Sequence, residues 1–215
     1  MKIQQLFDLE HTAAKDFLED FAYPWEALGG IGQLIRALGA ALEGYDTPAP
    51  GIWVHPSVKQ AATVLLEGPC IVGPDTELRQ GAFLRGNVLI GSGCVIGNST
   101  EVKNAILFDG VQVPHFNYVG DSILGYKAHL GAGVVCSNVR GDKGTVSVGG
   151  LSTGRKKVGA MVGDHAEIGC HTVLNPGTVI GRRTRVYPVS SVRGIVPADC
   201  IFKNNGTVIA MKKQE

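Results

Sequence analysis

No apolar run in this chain reaches the roughly 18 residues that a membrane-spanning helix needs. The first residues lack the basic-then-apolar pattern of a secretion signal, so a cytoplasmic protein is expected. Neither sign of charge dominates: 20 Lys and Arg stand against 19 Asp and Glu, a net +1. Bulk attraction to nucleic acid or to an anionic membrane is therefore not expected. No CxxC pair is present, and the five cysteines, Cys70, Cys94, Cys136, Cys170 and Cys200, are odd in number and far apart. That usage fits reduced thiols, with no disulfide and no metal site. The 215 residues suffice for one elongated domain with a substantial core.

What is present instead is a six-residue beat. An aliphatic residue recurs at Val54, Leu66, Val72, Leu78, Leu84, Ile90, Ile96 and Val102, with Gln60 missing the beat. After an interruption it resumes at Val162, Ile168, Leu174, Ile180, Val186 and Val192. Glycine often follows directly, at Gly73, Gly91, Gly97, Gly163, Gly169 and Gly181. A small residue often stands two positions before, as at Cys70, Thr76, Ala82, Cys94, Thr100, Thr172, Thr178, Thr184 and Ser190. Hexapeptide periods of this kind mark an all-β fold, the parallel β-helix, with one short strand per repeat. Three repeats close a triangular coil of about 18 residues, and coils stack at roughly 4.8 Å. The aliphatic and small residues point inward as ladders. Glycine beside them serves unusual corner dihedrals or close backbone approach.

Residues 1–42 are expected to be helical, over Leu6–Phe21 and again over Trp25–Leu42, and to cap the first coil or pack on it. Residues 43–51, with Pro48 and Pro50, read as a linker. The β-helix is expected over 52–196 with an inserted loop at about 136–160, followed by a tail over 197–215.

Departures from the beat are the candidate functional positions, because the scaffold gains nothing from them. Arg85 and Lys103 hold places that glycine takes elsewhere, and their separation of 18 residues stacks them on one edge. Like charges so placed are unfavourable without an anion beside them. With Glu67 one coil earlier, the spacing allows two readings: a Glu67–Arg85–Lys103 surface ion ladder, or a phosphate clamp. The beat then slips to five residues between Val102 and Leu107 and between Val119 and Leu124. Between the slips lies His115, in the polar and aromatic stretch Pro114-His115-Phe116-Asn117-Tyr118. Spacing alone leaves that histidine open between a structural and a catalytic role.

Four segments in order carry a resemblance. They are Gly97-Asn98-Ser99-Thr100-Glu101-Val102-Lys103-Asn104-Ala105, His115-Phe116-Asn117-Tyr118-Val119-Gly120-Asp121, Leu130-Gly131-Ala132-Gly133 and Asn138. Together they resemble the acetyltransferase half of the bifunctional N-acetylglucosamine-1-phosphate uridyltransferase/glucosamine-1-phosphate N-acetyltransferase family. Residues 152–160 look closer to the archaeal-type sugar-nucleotidyltransferase branch. Nothing matches the glycine-rich nucleotide loop of the family's uridyltransferase half.

The resemblance implies a left-handed β-helix, an acetyl-CoA-dependent N-acetyltransferase acting on a phosphorylated amino sugar, and direct transfer without a metal. It implies His115 as general base, Arg85 and Lys103 on the sugar phosphate, and Tyr118 and Asn138 near the amino sugar. Ala132, Cys170 and Pro188 fall where the family lines the acetyl-CoA channel. A homotrimer with sites between subunits is implied, and a separate uridyltransferase is a candidate partner. Two departures stand out: His129 replaces an asparagine that contacts the sugar, and 139–143 lose the bacterial pattern. His129 is either a second polar contact or a wall residue. Arg155-Lys156-Lys157 either meets ligand phosphates or is the solvated face of a hairpin arm. The rival functions are a catalytically silent sugar-phosphate or nucleotide-sugar-binding module, an acyltransferase on another acceptor, and a γ-type carbonic anhydrase. The last needs three histidine ligands, and His115, His129, His165 and His171 form no evident set of three.

Overall fold

The computed structural model describes residues 1–211; of the expected tail, 212–215 lie outside the described residues. From Ile52 the chain winds as a parallel β-helix with three faces of short parallel strands. The first face stacks Ile52–Val54, Cys70–Val72, Val88–Ile90, 105–107, 122–124, Ala160–Val162, Thr178–Ile180 and Ile195–Val196. The second stacks Lys59–Gln60, Glu77–Leu78, Val95–Asn98, Gln112–His115, His129–Leu130, Glu167–Ile168, Arg185–Val186 and Cys200–Phe202. The third stacks Leu65–Glu67, Phe83–Arg85, 101–103, 118–120, Val135–Cys136, Val173–Leu174 and Ser191–Val192.

The beat is the core. Val72 lies on Ile90, Leu78 on Ile96 and Leu84 on Val102, all buried. Each such side chain contributes roughly 1.5–3 kcal/mol by leaving water. The small polar residues between them are satisfied within the stack: the Thr100 hydroxyl donates to the Val113 carbonyl at 3.1 Å and that of Thr178 to Val192 at 3.0 Å.

Close approach, not unusual dihedrals, explains the glycines after the aliphatic residue. A Cβ on Gly97 would fall 1.5 Å from the Pro114 carbonyl oxygen, and one on Gly169 2.4 Å from the Pro188 nitrogen. The left-handed corner conformation instead falls two residues further on, often on non-glycine residues such as Ser99, Phe116, His171 and Val189. Arg85 and Lys103 stand at a different corner, from the third face to the first, where a Cβ on Gly120 one coil on would first meet the Tyr118 side chain and not backbone.

The slips are real shortenings of the coil. Val102 pairs with Val119 and Leu107 with Leu124, through the continuous strands Glu101–Leu107 and Tyr118–Leu124. Each turns the corner on one left-handed residue, Asn104 and then Asp121, where the preceding coil uses Gly86 and Asn87.

The N-terminal segment lies elsewhere than on the first coil's end. Its helices are short (Ile3–Leu6, Lys15–Glu19, Pro24–Ala27), and only Ile31–Ala41 is longer. Helix Ile31–Ala41 buries Ile31, Ile35 and Gly39 and packs along the first face. Gly39 permits the approach, since a Cβ there would meet the Trp53 ring at 2.5 Å. Further along, Phe7 packs on Phe108, and the Asp8 N–H donates to the buried Asp164 carboxylate at 2.7 Å. The segment is thus a packing element that runs along the coils, leaving Lys59–Gln60 and Leu65–Glu67 as open edges. The signal was present: first-face strands such as Val88-Leu89-Ile90 are buried on both sides and read as unbroken apolar runs.

Within the expected linker, Asp46–Ala49 forms a strand antiparallel to Ile52–Val54. The inserted loop leaves after Cys136 and rejoins at Ala160, carrying the hairpin Ser147–Val148 and Leu151–Ser152. The second face continues past 196 through Cys200–Phe202, and Val208–Ala210 closes it antiparallel.

Candidate active site

Every coil turns from the second face to the third at one corner, and backbone hydrogen bonds step along it. The Phe116 N–H donates to the Asn98 carbonyl at 2.8 Å, Gly133 to His115 at 3.0 Å, His171 to Ala132 at 2.8 Å, and Val189 to Cys170 at 2.9 Å. Asn98, His115, Ala132, Cys170 and Pro188 therefore form one column along the solenoid axis, about 4.8 Å apart per coil. His115, Cys170 and Pro188 are exposed and Ala132 is half-buried, so the column is a solvent-facing edge. The His115 imidazole makes no hydrogen bond to other described residues. The Ala132 N–H likewise has no acceptor among them.

The third face begins at this edge. Glu67 pairs in register with Arg85, and Lys103 follows one coil on, beside Gly120. The ion ladder forms differently from the one the spacing allows: the Arg85 guanidinium pairs with Glu101. The Lys103 ammonium has no ion partner among the described residues. Gly120 makes room for Tyr118, whose hydroxyl would lie 2.4 Å from a Cβ at that position. The phenol thus reaches along the strand toward Lys103, and its pKa is raised by burial and then by the Glu101 charge. Across the loop stem, the Asn138 amide donates to the Tyr118 hydroxyl at 3.2 Å. Arg85, Lys103, Tyr118 and Asn138 thus share one face, bordered by the His115 column.

Sequence reasoning missed the residues that hold these groups. Asn117 fills a ladder position that elsewhere holds Ala82, Thr100 or Val134, and it is 3% exposed. Its carbonyl accepts from the His115 N–H at 3.1 Å and its NH2 donates to the Gly131 carbonyl at 2.8 Å. An amide in a ladder of small residues was the available signal. Asp121, at the shortened corner, accepts from Asn104 at 2.8 Å and Asn138 at 2.5 Å.

His129 is not brought to the Arg85 face. It stands on the second face, where its Nδ1 lies 2.8 Å from a Glu167 carboxylate oxygen. Of the basic run, Lys156 and Lys157 are exposed, while the Arg155 guanidinium lies against Gly29 of the N-terminal segment. Among the described residues no cluster of three or more metal-ligating side chains occurs. No described helix is long and apolar enough to cross a membrane.

The family described as the GMPPB C-terminal domain matches residues 66–153, a span that holds Arg85 through Asn138 but not Cys170 or Pro188. A bifunctional sugar-1-phosphate nucleotidylyltransferase/acetyltransferase of Sulfurisphaera tokodaii is 35% identical over 105 residues, 47% of this chain and 26% of that protein. A bifunctional GlmU protein of Methanococcus maripaludis is 26% identical over 221 residues, 95% of this chain and 52% of its own length. This chain is similar to both of these bifunctional proteins. It spans about half the length of that GlmU relative. Among solved structures, PerB from Caulobacter crescentus in complex with CoA and GDP-perosamine overlaps with a TM-score of 0.38. Its identity is 18%, over 84% of this chain and 67% of that one.

Proposed function

We propose that this chain is an acetyl-CoA-dependent N-acetyltransferase whose acceptor is a phosphorylated amino sugar. The observation that carries the reading is the shared edge: the His115–Ala132–Cys170–Pro188 column borders the face that displays Arg85, Lys103, Tyr118 and Asn138. Arg85 and Lys103 hold the sugar phosphate, Arg85 exchanging Glu101 for a bidentate phosphate contact. Tyr118 and Asn138 then hold the sugar, converting binding energy into orientation of the amine.

Only the neutral amine attacks a thioester. His115 accepts the proton as the nitrogen adds to the carbonyl carbon, a contribution of roughly 10²–10⁴ in rate. The Ala132 N–H, one coil from His115 and free of other acceptors, donates to the tetrahedral oxyanion. Collapse expels the coenzyme A thiolate, which takes its proton from the His115 imidazolium. Cys170 and Pro188 form the wall along which the acyl donor lies, without a covalent acyl-enzyme.

The same corner suggests the assembly. Phe116 is 62% exposed and Val189 72%, both apolar and both in left-handed conformation. A second copy covering this edge would close a cleft over His115, as a homotrimer does. His129 would join a site only if the second face of one copy met the third face of another. On this reading the described residues carry acyl transfer, and a separate uridyltransferase is a candidate partner.

The test is thiol release from acetyl-CoA with glucosamine-1-phosphate and galactosamine-1-phosphate, for wild type and His115→Ala. Release that falls about 10²–10⁴-fold in the variant, with folding retained, is expected. Near-normal turnover in the variant would sink the base assignment. No release by wild type with either sugar would point to a silent binding module or another acceptor.

A further inference from the structure

The shortened corner holds a side-chain arrangement that the proposed chemistry leaves unused. Asp121 is 7% exposed and sits in left-handed conformation where strand Tyr118–Leu124 turns between faces. Its two carboxylate oxygens are both occupied: one accepts from the Asn104 NH2 at 2.8 Å, the other from the Asn138 NH2 at 2.5 Å. The Asn104 NH2 also donates to the Leu28 carbonyl at 3.3 Å, and that of Asn138 to the Tyr118 hydroxyl at 3.2 Å. Which end of an asparagine amide is nitrogen follows from its partners, and a carboxylate can only accept. Both hydrogens of the Asn138 NH2 are therefore spent inward. Its side-chain carbonyl oxygen accepts nothing within the described residues. Nor is it a buried orphan, since the one buried unpartnered side-chain atom among them is Arg182 Nε.

We propose that Asp121 is a positioning residue that fixes the Asn138 amide with its carbonyl oxygen toward the acceptor. The inference rests on the acyltransfer reading and deepens it. An acceptor-only oxygen beside Tyr118 selects a ligand that brings a hydrogen-bond donor to that point, which an amine does and a bare methylene does not. Asp121 acts through Asn138 and touches no substrate itself. The one-residue corner explains the placement: with one residue fewer in the coil, the corner side chain comes level with the loop stem that carries Asn138.

The isosteric change Asp121→Asn tests this. Asn at 121 keeps one acceptor for Asn104 and presents its NH2 to Asn138, which turns its own carbonyl inward and its NH2 outward. Loss of one hydrogen bond to the acceptor should lower kcat/KM for the amino sugar phosphate by about 10–100-fold. KM for acetyl-CoA should not change. The exchanged pair Asp121→Asn with Asn138→Asp returns an outward acceptor oxygen at 138 and should restore most of that loss. An unchanged single variant would overturn the proposal. So would equal losses toward both substrates with a lowered melting temperature and no rescue. If the single variant does not fold, the exchanged pair decides: wild-type acceptor selectivity supports the proposal, and its loss refutes it. Should wild type lack turnover, the acyltransfer reading fails separately. Calorimetry then compares glucosamine-1-phosphate with 2-deoxyglucose-1-phosphate, which has no donor at that carbon. Preference for the amine in wild type, abolished by Asp121→Asn, supports the amide assignment; equal binding, or none, refutes it.

Discussion

Asn117→Ala should damage both stability and turnover, because one buried amide holds the backbone that carries His115. The substitution deletes the acceptor of the His115 N–H at 3.1 Å and the donor to the Gly131 carbonyl at 2.8 Å. Each bond is worth about 1 kcal/mol net, and the His115 N–H left without its partner adds to the loss, for about 2–3 kcal/mol together. The Gly131 carbonyl keeps a second donor in the Val134 N–H at 3.3 Å, so the cost does not rise further. At roughly 2–4 °C per kcal/mol for a chain of this size, the melting temperature should fall by about 4–12 °C. Turnover should fall as well, since a displacement on the order of 1 Å at a reacting group costs about 10²-fold. Urea denaturation and thiol release from acetyl-CoA, measured on the same preparation, give the two numbers. His115→Ala provides the contrast, with activity lost and stability kept. An Asn117→Ala protein with wild-type melting and wild-type turnover would refute the argument. Lost stability with intact turnover would show that the amide supports the coil and not the histidine.

Arg85→Ala should raise KM for the phosphorylated acceptor more than for acetyl-CoA, as steady-state kinetics would read; equal effects would favour a purely structural ion pair. Burial pushes the thiols of Cys70, Cys94 and Cys136 up to about 12, whereas Cys170 is exposed on the proposed donor wall. Iodoacetamide at pH 8 should therefore label Cys170 before those three, and acetyl-CoA should protect it, as peptide mass mapping would show. Burial raises the pKa of Asp164, opposed by the Asp8 N–H and by Arg182, whose guanidinium lies 3.1 Å away. A folded-state pKa raised above the unfolded value means that stability falls as pH rises through the interval between them. Removing the cation widens that interval. Arg182→Ala should thus cost about 3 kcal/mol at pH 7 and less near pH 4, by urea denaturation at both; equal costs would refute the pairing.

Much of this molecule was determined by the sequence alone, for a physical reason particular to solenoids. When one coil follows another at a fixed repeat, residues one period apart become spatial neighbours, so local spacing fixes long-range contacts. Leu84 on Val102, Glu67 beside Arg85, and Cys170 beside Pro188 are all of this kind. The slips at Val102–Leu107 and Val119–Leu124 were legible as well, because a repeat makes its own irregularities visible.

What only the tertiary structure decided has no period behind it. The N-terminal helices are too short for a pattern to say where they dock, and Gly39 against Trp53 and Asp8 on Asp164 place them along the first face. Arg85 takes Glu101 and not Glu67 because a long guanidinium chooses among carboxylates by reach, which register leaves open. Asn138 meets Tyr118 and Asp121 across an inserted loop, and Asn117 spends its amide on the strand end of His115. Ladders follow from repetition, but a side chain that crosses between coils or elements finds its partner only once the chain has closed around it.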